Sequence, residues 1–559
     1  MSIEKDIILK RFAPHIEFDS YEDFKANYKV EVPENFNFAY DVVDEWASLD
    51  RNKKALVWCD DSGDEKTLTF DEISCLSNRA AHYFASLGLK KGDVVMLILR
   101  RRWEFWVCSM ALAKLGVIFV PSTNQLTKKD IVYRVQRADV KAIVCINDDF
   151  VLEQVSLAKA ECPTLKNVIT VAQKTYDLPL FNEEIKKFPE QFERPTGSDA
   201  NTRDDIMFLY FTSGTTGMPK MVQHSYAHPI GQIVTAKYWQ RVQDSRLHMS
   251  VSDSGWAKFG WGKIYGQWIC GAVIFAYDMD KFVAAKLLEK LQQYKVTTFC
   301  APPTMLRFML LEDMAKYDLS SIENCCIAGE PLNPEVYNKW YEITGLKLYE
   351  GFGQSESSVL VANYEWFAPK PGSTGKPAPL YNIEIVDREG NRCDDGVEGE
   401  IVVLGIDKYM PTGLFAGYYR DPELTQNVMG DGVYHTGDVA WRDSDGYYWF
   451  VGRSDDVIKC SGYRIGPFEV ESALIEHKAV VECAVTAAPD PVRGQVVKAT
   501  VVLKKGYTPS DALIRELQQH VKTVTAPYKY PRIIEFVDEL PKTISGKIKR
   551  AQIRQEDAK

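Results

Sequence analysis

The first third of the chain alternates between segments with helical spacing of apolar residues and short runs of consecutive apolar residues. Helical spacing extends from Ser74 to Leu87, whereas Asp93–Leu99 and Lys141–Ile146 are short apolar runs. This alternation is typical of parallel sheets whose crossover connections are helices. The pattern therefore predicts an α/β fold.

The pattern changes twice further along the chain. The polar segment Lys187–Asp205 contains two prolines and a glycine and predicts an exposed loop before the strand-like run Ile206–Phe211. Glycine and proline between Pro369 and Pro379, followed by the short strand-like runs Asn382–Asp387 and Gly399–Gly405, predict a smaller β subdomain.

The last hundred residues predict a separate compact unit. Two helical segments, Pro467–His477 and Ser510–Val524, alternate with strand-like runs, as in an α+β domain. About a hundred residues is an ordinary size for an independent domain. We therefore predict a large domain over residues 1–454 and a small one over residues 455–559.

Composition indicates a water-soluble protein inside the cell. The chain has 559 residues, of which 45% are hydrophobic and 26% charged. Its start has no long apolar segment, which argues against a secretory signal, and no run approaches the roughly 20 apolar residues of a membrane-spanning helix. Twelve cysteines without CxxC spacing argue against structural zinc and fit reduced thiols. We expect a cytoplasmic location.

Charge is unevenly distributed. The net charge of −10 argues against nucleic-acid binding. From Asp456 to Lys559, however, 17 lysines and arginines face 13 aspartates and glutamates, so this part carries +4 and the rest −14. A small basic unit on an acidic body suits closure over a polyanionic small molecule, although a chance fluctuation of surface charge fits the count equally well.

The segment Tyr210–Lys220 (YFTSGTTGMPK) combines five hydroxyl side chains, two glycines and a lysine. Its spacing differs from that of a Walker A loop. Glycines nevertheless allow close backbone approach, and hydroxyls and amides donate to oxygens, so the segment predicts a phosphate-binding loop. A surface loop rich in Ser, Thr and Gly is the alternative.

Five further segments place polar or charged residues beside glycine or proline, and each alone also fits an ordinary turn or a solvated tail. They are Gly329–Pro334 (GEPLNP), Gly351–Glu356 (GFGQSE), Tyr434–Asp438 (YHTGD), Gly452–Asp456 (GRSDD) and Pro541–Arg550 (PKTISGKIKR).

Taken in this order, the six segments resemble the core motifs of the adenylate-forming acyl-CoA synthetases. Ser252–Lys263 (SDSGWAKFGWGK) and Val524–Arg532 (VTAPYKYPR) are most similar to the medium-chain members. The resemblance implies a large N-terminal domain of parallel αβ sheets with a β subdomain, and a small mobile α+β C-terminal domain. It also implies a carboxylic acid, ATP, Mg²⁺ and coenzyme A as reactants and cofactors.

The resemblance implies two half-reactions. The acid's carboxylate attacks the α-phosphorus of ATP to give an acyl-adenylate and pyrophosphate, and the coenzyme A thiol then displaces AMP. Implied catalytic residues are Thr212, Glu356, Lys547 and Arg464, with Glu356 holding Mg²⁺. Implied nucleotide-binding residues are Ser213, Gly214, Thr215, Thr216, Gly217, Lys220, Gly329, Glu330, Pro331, Glu350, Gly351, Phe352, Gly353, Gln354, Ser355, Asp438 and Arg453.

The resemblance also implies that the small domain rotates about a hinge at Asp455 between the two half-reactions. Residues implied to contact coenzyme A are Ser461, Gly462, Tyr463, Arg493, Lys522 and Gln125. Acetate-specific relatives have a tryptophan where this chain has Gly353, so a medium-chain or branched acid should fit. Trp256, Lys258 and Trp261 are expected to line the acyl pocket with Gly353, although they also fit ordinary aromatic packing.

Several alternatives stay open from the sequence. An aryl-CoA ligase or a ligase that loads a carrier protein would share the adenylation residues, and a non-catalytic nucleotide-binding protein would share the fold. His224 and His228 either line the site or belong to the core. The chain fits both a monomer and a homodimer.

Overall fold

A computed structural model describes residues 4–171, 178–212, 218–460, 463–490, 493–542 and 548–557. Strands within these ranges are numbered in chain order. They are β1 (Lys54–Asp60), β2 (Glu65–Thr69), β3 (Val94–Ile98), β4 (Ile118–Pro121), β5 (Val140–Ile146), β6 (Asn167–Val171), β7 (Ile206–Thr212), β8 (Lys220–Ser225), β9 (Leu247–Ser250), β10 (Val273–Asp278), β11 (Thr298–Ala301), β12 (Asn324–Ile327), β13 (Leu348–Phe352), β14 (Val361–Ala362), β15 (Lys376–Pro377), β16 (Ile383–Val386), β17 (Gly399–Leu404), β18 (Val433–Arg442), β19 (Tyr448–Arg453), β20 (Ile458–Cys460), β21 (Tyr463–Ile465), β22 (Val480–Asp490), β23 (Gly494–Leu503) and β24 (Ile533–Phe536).

The α-helices are numbered in the same way. They are α1 (Leu9–Phe12), α2 (Tyr21–Asn27), α3 (Glu45–Leu49), α4 (Phe70–Ser86), α5 (Glu104–Leu115), α6 (Lys128–Ala138), α7 (Asp149–Lys159), α8 (Phe181–Glu184), α9 (His228–Gly231), α10 (Ala257–Lys263), α11 (Tyr265–Ile269), α12 (Ala284–Gln293), α13 (Pro303–Met309), α14 (Pro334–Thr344), α15 (Pro422–Met429), α16 (Pro467–Glu476), α17 (Asp511–Val524) and α18 (Arg550–Asp557).

Two large sheets carry most of the N-terminal part. The first has the order β6-β5-β3-β4-β7-β8 and is parallel except for the β7–β8 hairpin. The second has the order β15-β14-β13-β12-β11-β9-β10-β1-β2, with a parallel centre from β13 to β1. The α/β prediction for this part is confirmed, and the strands β3, β5 and β7 lie where the apolar runs predicted them.

Two smaller sheets follow. The antiparallel sheet β16-β17-β18-β19 confirms the predicted β subdomain. The last sheet contains β20 to β24, with α16 and α17 packed on it, and has its own buried cluster built from residues such as Val470, Val485 and Leu517. The proposed boundary at residue 455 lies between β19 and β20, which belong to different sheets.

Local sequence explains how several helices begin. The Thr69 hydroxyl accepts from the Glu72 N–H while the Glu72 carboxylate accepts from the Thr69 N–H, so a capping box starts α4. Asn333 caps α14 by accepting from the Glu335 N–H, with Pro334 in the first turn. The GEPLNP segment therefore runs directly into a helix.

Two further observations complete the description. None of the described helices is long and apolar enough to cross a bilayer. All twelve cysteines are free thiols, as the sequence predicts, and ten of them are buried.

Candidate active site

The predicted site segments gather at one edge of the second sheet. Strands β9, β11, β12 and β13 are neighbours and run parallel, so their carboxyl ends lie at the same edge. The Trp256 loop follows β9, the GEPLNP segment follows β12, and Gly353 follows β13. Ligands of open α/β sheets bind at such an edge, because the loops there converge.

A hydrogen-bonded network joins this edge to the β subdomain. The Gln354 carboxamide donates to the carboxylate of the buried Asp438 and, over 2.8 Å, to the Thr436 carbonyl. Arg453, opposite Asp438 on the neighbouring strand, donates to the same carbonyl over 2.8 Å and lies 3.4 Å from the Asp438 carboxylate. Three residues predicted to bind nucleotide are therefore in direct contact.

Arg453 also connects this network to the proposed hinge. Its Nε lies 3.7 Å from a carboxylate oxygen of Asp455, which is exposed. Burial works against the charged guanidinium, but the Asp438 and Asp455 carboxylates outweigh it and hold the pKa of Arg453 above its usual value. Arg453 is thus a fixed positive charge beside Asp438.

Glu356, the predicted Mg²⁺ ligand, is held by a residue that the sequence motifs do not include. The Tyr418 hydroxyl donates to Glu356 Oε1 over 3.0 Å, and the Glu356 carbonyl accepts from the Phe415 N–H over 2.7 Å. Burial is the larger cause, and the Glu356 carboxylate the smaller one, of a raised pKa of Tyr418. The Tyr418 hydroxyl therefore keeps the proton that it donates.

One carboxylate at this position fits Mg²⁺, which keeps several waters and is usually held by one or two carboxylates together with phosphate oxygens. The described residues contain no group of three His, Cys, Asp or Glu side chains that could form an all-protein metal site. A single carboxylate is a donor set that suits a metal ion bound together with a nucleotide.

The hairpin that carries the predicted phosphate loop approaches Glu356. Thr212 at the end of β7 pairs with Lys220 at the start of β8. The Lys220 ammonium lies 5.3 Å from the ring centre of Tyr418, the same tyrosine that contacts Glu356. Ser213, Gly214, Thr215, Thr216 and Gly217 lie outside the described residues.

The residue that precedes the GEPLNP segment contacts the helix that follows Trp256. Gly329 has a φ of +103°, which favours glycine. The Lys258 ammonium on α10 donates to the Ala328 carbonyl over 2.6 Å. Glu330 accepts from the Thr304 hydroxyl over 2.5 Å, and Pro331 follows it, half-buried.

Glu350 is a buried carboxyl group on β13. The carboxyl group accepts from the Leu332 backbone N–H, but its Oε2 has no hydrogen-bond partner among the described residues. Burial raises the pKa of Glu350 to about 8, although the hydrogen bond from the Leu332 N–H lowers it. The group is therefore neutral near pH 7 and links the GEPLNP segment to the Gly351–Glu356 segment.

The space beside Gly353 is filled. A Cβ on Gly353 would lie 2.3 Å from Trp261 Cη2 and 2.8 Å from the Ser358 carbonyl oxygen. The Trp261 indole is fixed by a hydrogen bond of 2.9 Å from its Nε1 to the Ser357 carbonyl. Trp261, 92 residues earlier in the chain, therefore occupies the volume next to Gly353, and the fit of a longer acid beside these two residues stays a prediction.

The ring centre of Phe352, in the Gly351–Glu356 segment, lies 5.7 Å from the ring centre of Phe450 on β19. A Cβ on Gly351 would lie 2.5 Å from the Trp239 ring, so both glycines pack against tryptophans. His224 and His228 are both buried, and His224 Nε2 lies 2.8 Å from the carbonyl oxygen of Ser355 in the same segment.

The residues predicted to contact coenzyme A lie in two places. Gln125 is exposed in the loop after β4. This loop packs closely on the Trp256 loop: a Cβ on Gly255 would lie only 2.4 Å from the Thr123 nitrogen. In the C-terminal unit, Tyr463 stacks on Tyr528 at 4.2 Å.

The other predicted residues of that unit are partly described. The Lys522 ammonium lies 4.0 Å from the ring centre of Tyr530, and the Arg532 guanidinium packs on the same ring. Arg493 is exposed. Arg464 lies on β21, opposite Lys459. Ser461, Gly462 and Lys547 lie outside the described residues.

Sequence reasoning missed several residues that hold the site. Tyr418, Tyr434 and Thr436 contact Glu356, Gln354 and Asp438 through hydrogen bonds. Tyr434 and Thr436 could have been found, because they stand inside the YHTGD motif. Tyr418 gave little signal, because it stands in a tyrosine pair with no charged neighbour before Arg420.

Comparison with known proteins bears on the whole chain. Residues 43–419 match the model of the AMP-binding enzyme family, and residues 469–547 match that of the AMP-binding enzyme C-terminal domain. Acyl-coenzyme A synthetase ACSM3, mitochondrial, of Mus musculus is 41% identical over 97% of this chain and 94% of its own length. ACSM4 of Rattus norvegicus, also named mitochondrial, is 44% identical over 96% of this chain and 93% of its own.

A solved structure agrees with these relatives. The anthranilate CoA ligase AuaEII in complex with anthranoyl-AMP has a TM-score of 0.86 and 30% identity, and the match covers 94% of this chain and 98% of that protein. The resemblance stated from the motifs, and the α/β fold that it implied, are confirmed.

The predicted cytoplasmic location is wrong by this comparison, since the ACSM3 and ACSM4 relatives are named mitochondrial. The prediction rested on the lack of an apolar secretory segment. Mitochondrial transit peptides are instead amphipathic and rich in arginine, so that observation could not separate the two locations.

Proposed function

The chain belongs to the AMP-binding enzyme family, and on that premise we propose that it activates a medium-chain or branched fatty acid in two steps at the site described above. It is an ATP-dependent acyl-CoA synthetase, an AMP-forming acid–thiol ligase. The acid and ATP give an acyl-adenylate and pyrophosphate, and the coenzyme A thiol then takes the acyl group and releases AMP.

The contact network around Gln354 carries the assignment of residues. Asp438 accepts from the ribose hydroxyls, and Gln354 and Arg453 orient that carboxylate. The adenine lies between the GEPLNP segment and Phe352. Both partners in the first step are anions, so donors and cations aimed at the developing charge lower its barrier.

Glu356 and Lys547 complete the set of residues that we propose for the first step. Glu356, oriented by Tyr418, would hold Mg²⁺, which supplies charge neutralisation on the phosphate oxygens when it is bound. The phosphate loop after Thr212 donates to the leaving pyrophosphate. Lys547 neutralises the reacting carboxylate and α-phosphate, and rotation at Asp455 then withdraws it so that Tyr463 and Arg464 reach the thioester site; these roles rest on the motifs.

The acid class rests on the relatives and on α10. The ACSM names place the chain beside acyl-CoA synthetases, and Trp256, Lys258 and Trp261 lie on or beside the helix that faces the GEPLNP segment. One methylene in an apolar pocket is worth about 1–3 kcal/mol, so neighbouring chain lengths should compete.

The test is kcat/KM for acyl-CoA formation over acetate, butyrate, hexanoate, octanoate, 2-methylbutyrate and benzoate. We expect a maximum at hexanoate, octanoate or 2-methylbutyrate. A maximum at benzoate would favour the aryl-CoA ligase alternative, for which AuaEII is the structural precedent, and a maximum at acetate would contradict the pocket assignment.

The proposed location is the mitochondrion, the location carried in the names of the ACSM3 and ACSM4 relatives. Import of the labelled full-length chain into isolated mitochondria, with protection from added protease, tests it. Full digestion of the chain outside intact mitochondria would refute it.

A further inference from the structure

His224 is a buried polar residue that touches the candidate site. It lies on β8, opposite Phe208 on β7, in the hairpin that carries the predicted phosphate loop. Its side chain is only 1% exposed, and its Nε2 lies 2.8 Å from the backbone carbonyl oxygen of Ser355. Ser355 immediately precedes Glu356, the proposed Mg²⁺ ligand.

The chemistry of this contact fixes the state of the ring. A carbonyl oxygen can only accept, so Nε2 must carry the proton and Nδ1 is the bare nitrogen. Burial lowers the pKa of His224 to about 4, so the ring is neutral at neutral pH. His228, whose ring centre is 3.9 Å away, is equally buried, and its pKa is lowered by burial and by His224.

Backbone hydrogen bonds connect the same two segments by a longer route. Residues 413–419 pair with β8 on one side, where the Gln223 N–H donates to the Gly417 carbonyl over 3.1 Å. On the other side, the Phe415 N–H donates to the Glu356 carbonyl and the Ser358 N–H to the Gly413 carbonyl. His224 is the side chain of β8 that bonds directly to the Glu356 segment, across 131 residues of sequence.

We propose that His224 is a positioning residue for adenylation: through the Ser355 carbonyl it fixes Glu356 relative to the phosphate-loop hairpin. Glu356 and the phosphate loop must act on the same nucleotide, so their separation has to be set before the nucleotide arrives. A direct bond between the two segments sets it. The inference rests on the proposed role of Glu356.

The proposed role of His224 depends on its Nε2–H donor, so a variant without a donor can be compared with one that keeps a donor. In His224→Leu the Ser355 carbonyl loses its partner, whereas in His224→Gln a carboxamide N–H can donate to it. We expect His224→Leu to raise the free Mg²⁺ concentration for half-maximal adenylation about tenfold and to leave the KM for the acid within twofold. His224→Gln should recover most of the wild-type Mg²⁺ dependence.

His248 provides the matched control. It is also 1% exposed and bonded through one ring nitrogen, to the Thr298 hydroxyl over 2.8 Å, but it lies on β9 in the other sheet. His248→Leu should lower thermal stability without changing the Mg²⁺ dependence of the folded fraction. Equal Mg²⁺ shifts in His224→Leu and His248→Leu would overturn the proposal, as would failure of His224→Gln to improve on His224→Leu.

A measurement on the wild-type protein does not depend on how the variants fold. Nitrogen-15 NMR of histidine-labelled full-length protein, with the His224 signals assigned by their loss in His224→Gln, should show a neutral ring with the proton on Nε2. A neutral ring protonated on Nδ1 would overturn the proposal. Glu356→Gln separates the two claims: an unchanged Mg²⁺ dependence in that variant would refute the role of Glu356, while the tautomer would still report the His224 bond.

Discussion

Adding one methyl group at position 353 tests how closely Trp261 packs on the candidate site. The Cβ of Gly353→Ala would lie 2.3 Å from Trp261 Cη2 and 2.8 Å from Trp261 Cζ2, and both atoms belong to the outer ring of the indole. The Ser358 carbonyl oxygen, at 2.8 Å, blocks movement on another side. Overpacking of this kind costs about 1–3 kcal/mol.

The second perturbation removes the clashing atoms. In Trp261→Phe the ring ends short of the Cη2 and Cζ2 positions, and the hydrogen bond from Nε1 to the Ser357 carbonyl is lost. Trp261→Phe alone should therefore be destabilising, but Gly353→Ala should cost about 1 kcal/mol less in that background than in the wild type. Independent sites usually add within about 0.5 kcal/mol, so this coupling is measurable.

The assay is a double-mutant cycle on the thermal unfolding of the four proteins, with kcat/KM measured over the acid series in parallel. Trp261→Phe should shift the preference toward longer or branched acids, because it empties volume beside the Gly353 segment. Additive stabilities and an identical acid profile in all four proteins would refute the packing argument. The same packing explains why Gly353→Trp, which should favour short acids, first requires the Trp261 ring to move.

Three further changes test separate parts of the account. Lys547→Ala should slow adenylation by about a hundredfold or more while largely sparing thioester formation from supplied acyl-adenylate, and equal loss in both half-reactions would contradict its role. Tyr418→Phe removes the donor to Glu356 Oε1 and should lower kcat/KM for Mg-ATP about tenfold at an unchanged KM for the acid; unaltered Mg-ATP kinetics would count against it. Because burial raises the pKa of Glu350 to about 8, the folded protein keeps a proton that the unfolded chain loses above about pH 4, so the free energy of unfolding should fall as pH rises from about 4 to about 8. Glu350→Gln should flatten that part of the pH dependence of Tm, and parallel pH profiles for the two proteins would exclude the buried acid.

Much of the fold follows from local pattern. The apolar runs at β3, β5 and β7 and the helical spacing of α4 and α17 are properties of consecutive residues, and the structure has these elements where the pattern predicts them. The site segments could be placed on loops after strands because glycine, proline and polar residues follow apolar runs there.

The contacts that organise the site could not be predicted in this way. Trp261 against Gly353, His224 against Ser355 and Tyr418 against Glu356 each join residues far apart in the sequence. Which residues meet depends on the order of strands in the two sheets, and strand order is set by tertiary packing rather than by local spacing. The contact of Trp261 with Gly353 was not predicted for this reason.

The central claim is that one site makes an acyl-adenylate and then passes the acyl group to coenzyme A. Its most direct test is acid-dependent pyrophosphate release from Mg-ATP, followed with and without coenzyme A. The account predicts about one equivalent of pyrophosphate per site without coenzyme A and sustained turnover with it, at a rate equal to acyl-CoA formation. A burst that coenzyme A does not extend would contradict the acceptor, and no pyrophosphate with any acid of the series would contradict the adenylation step.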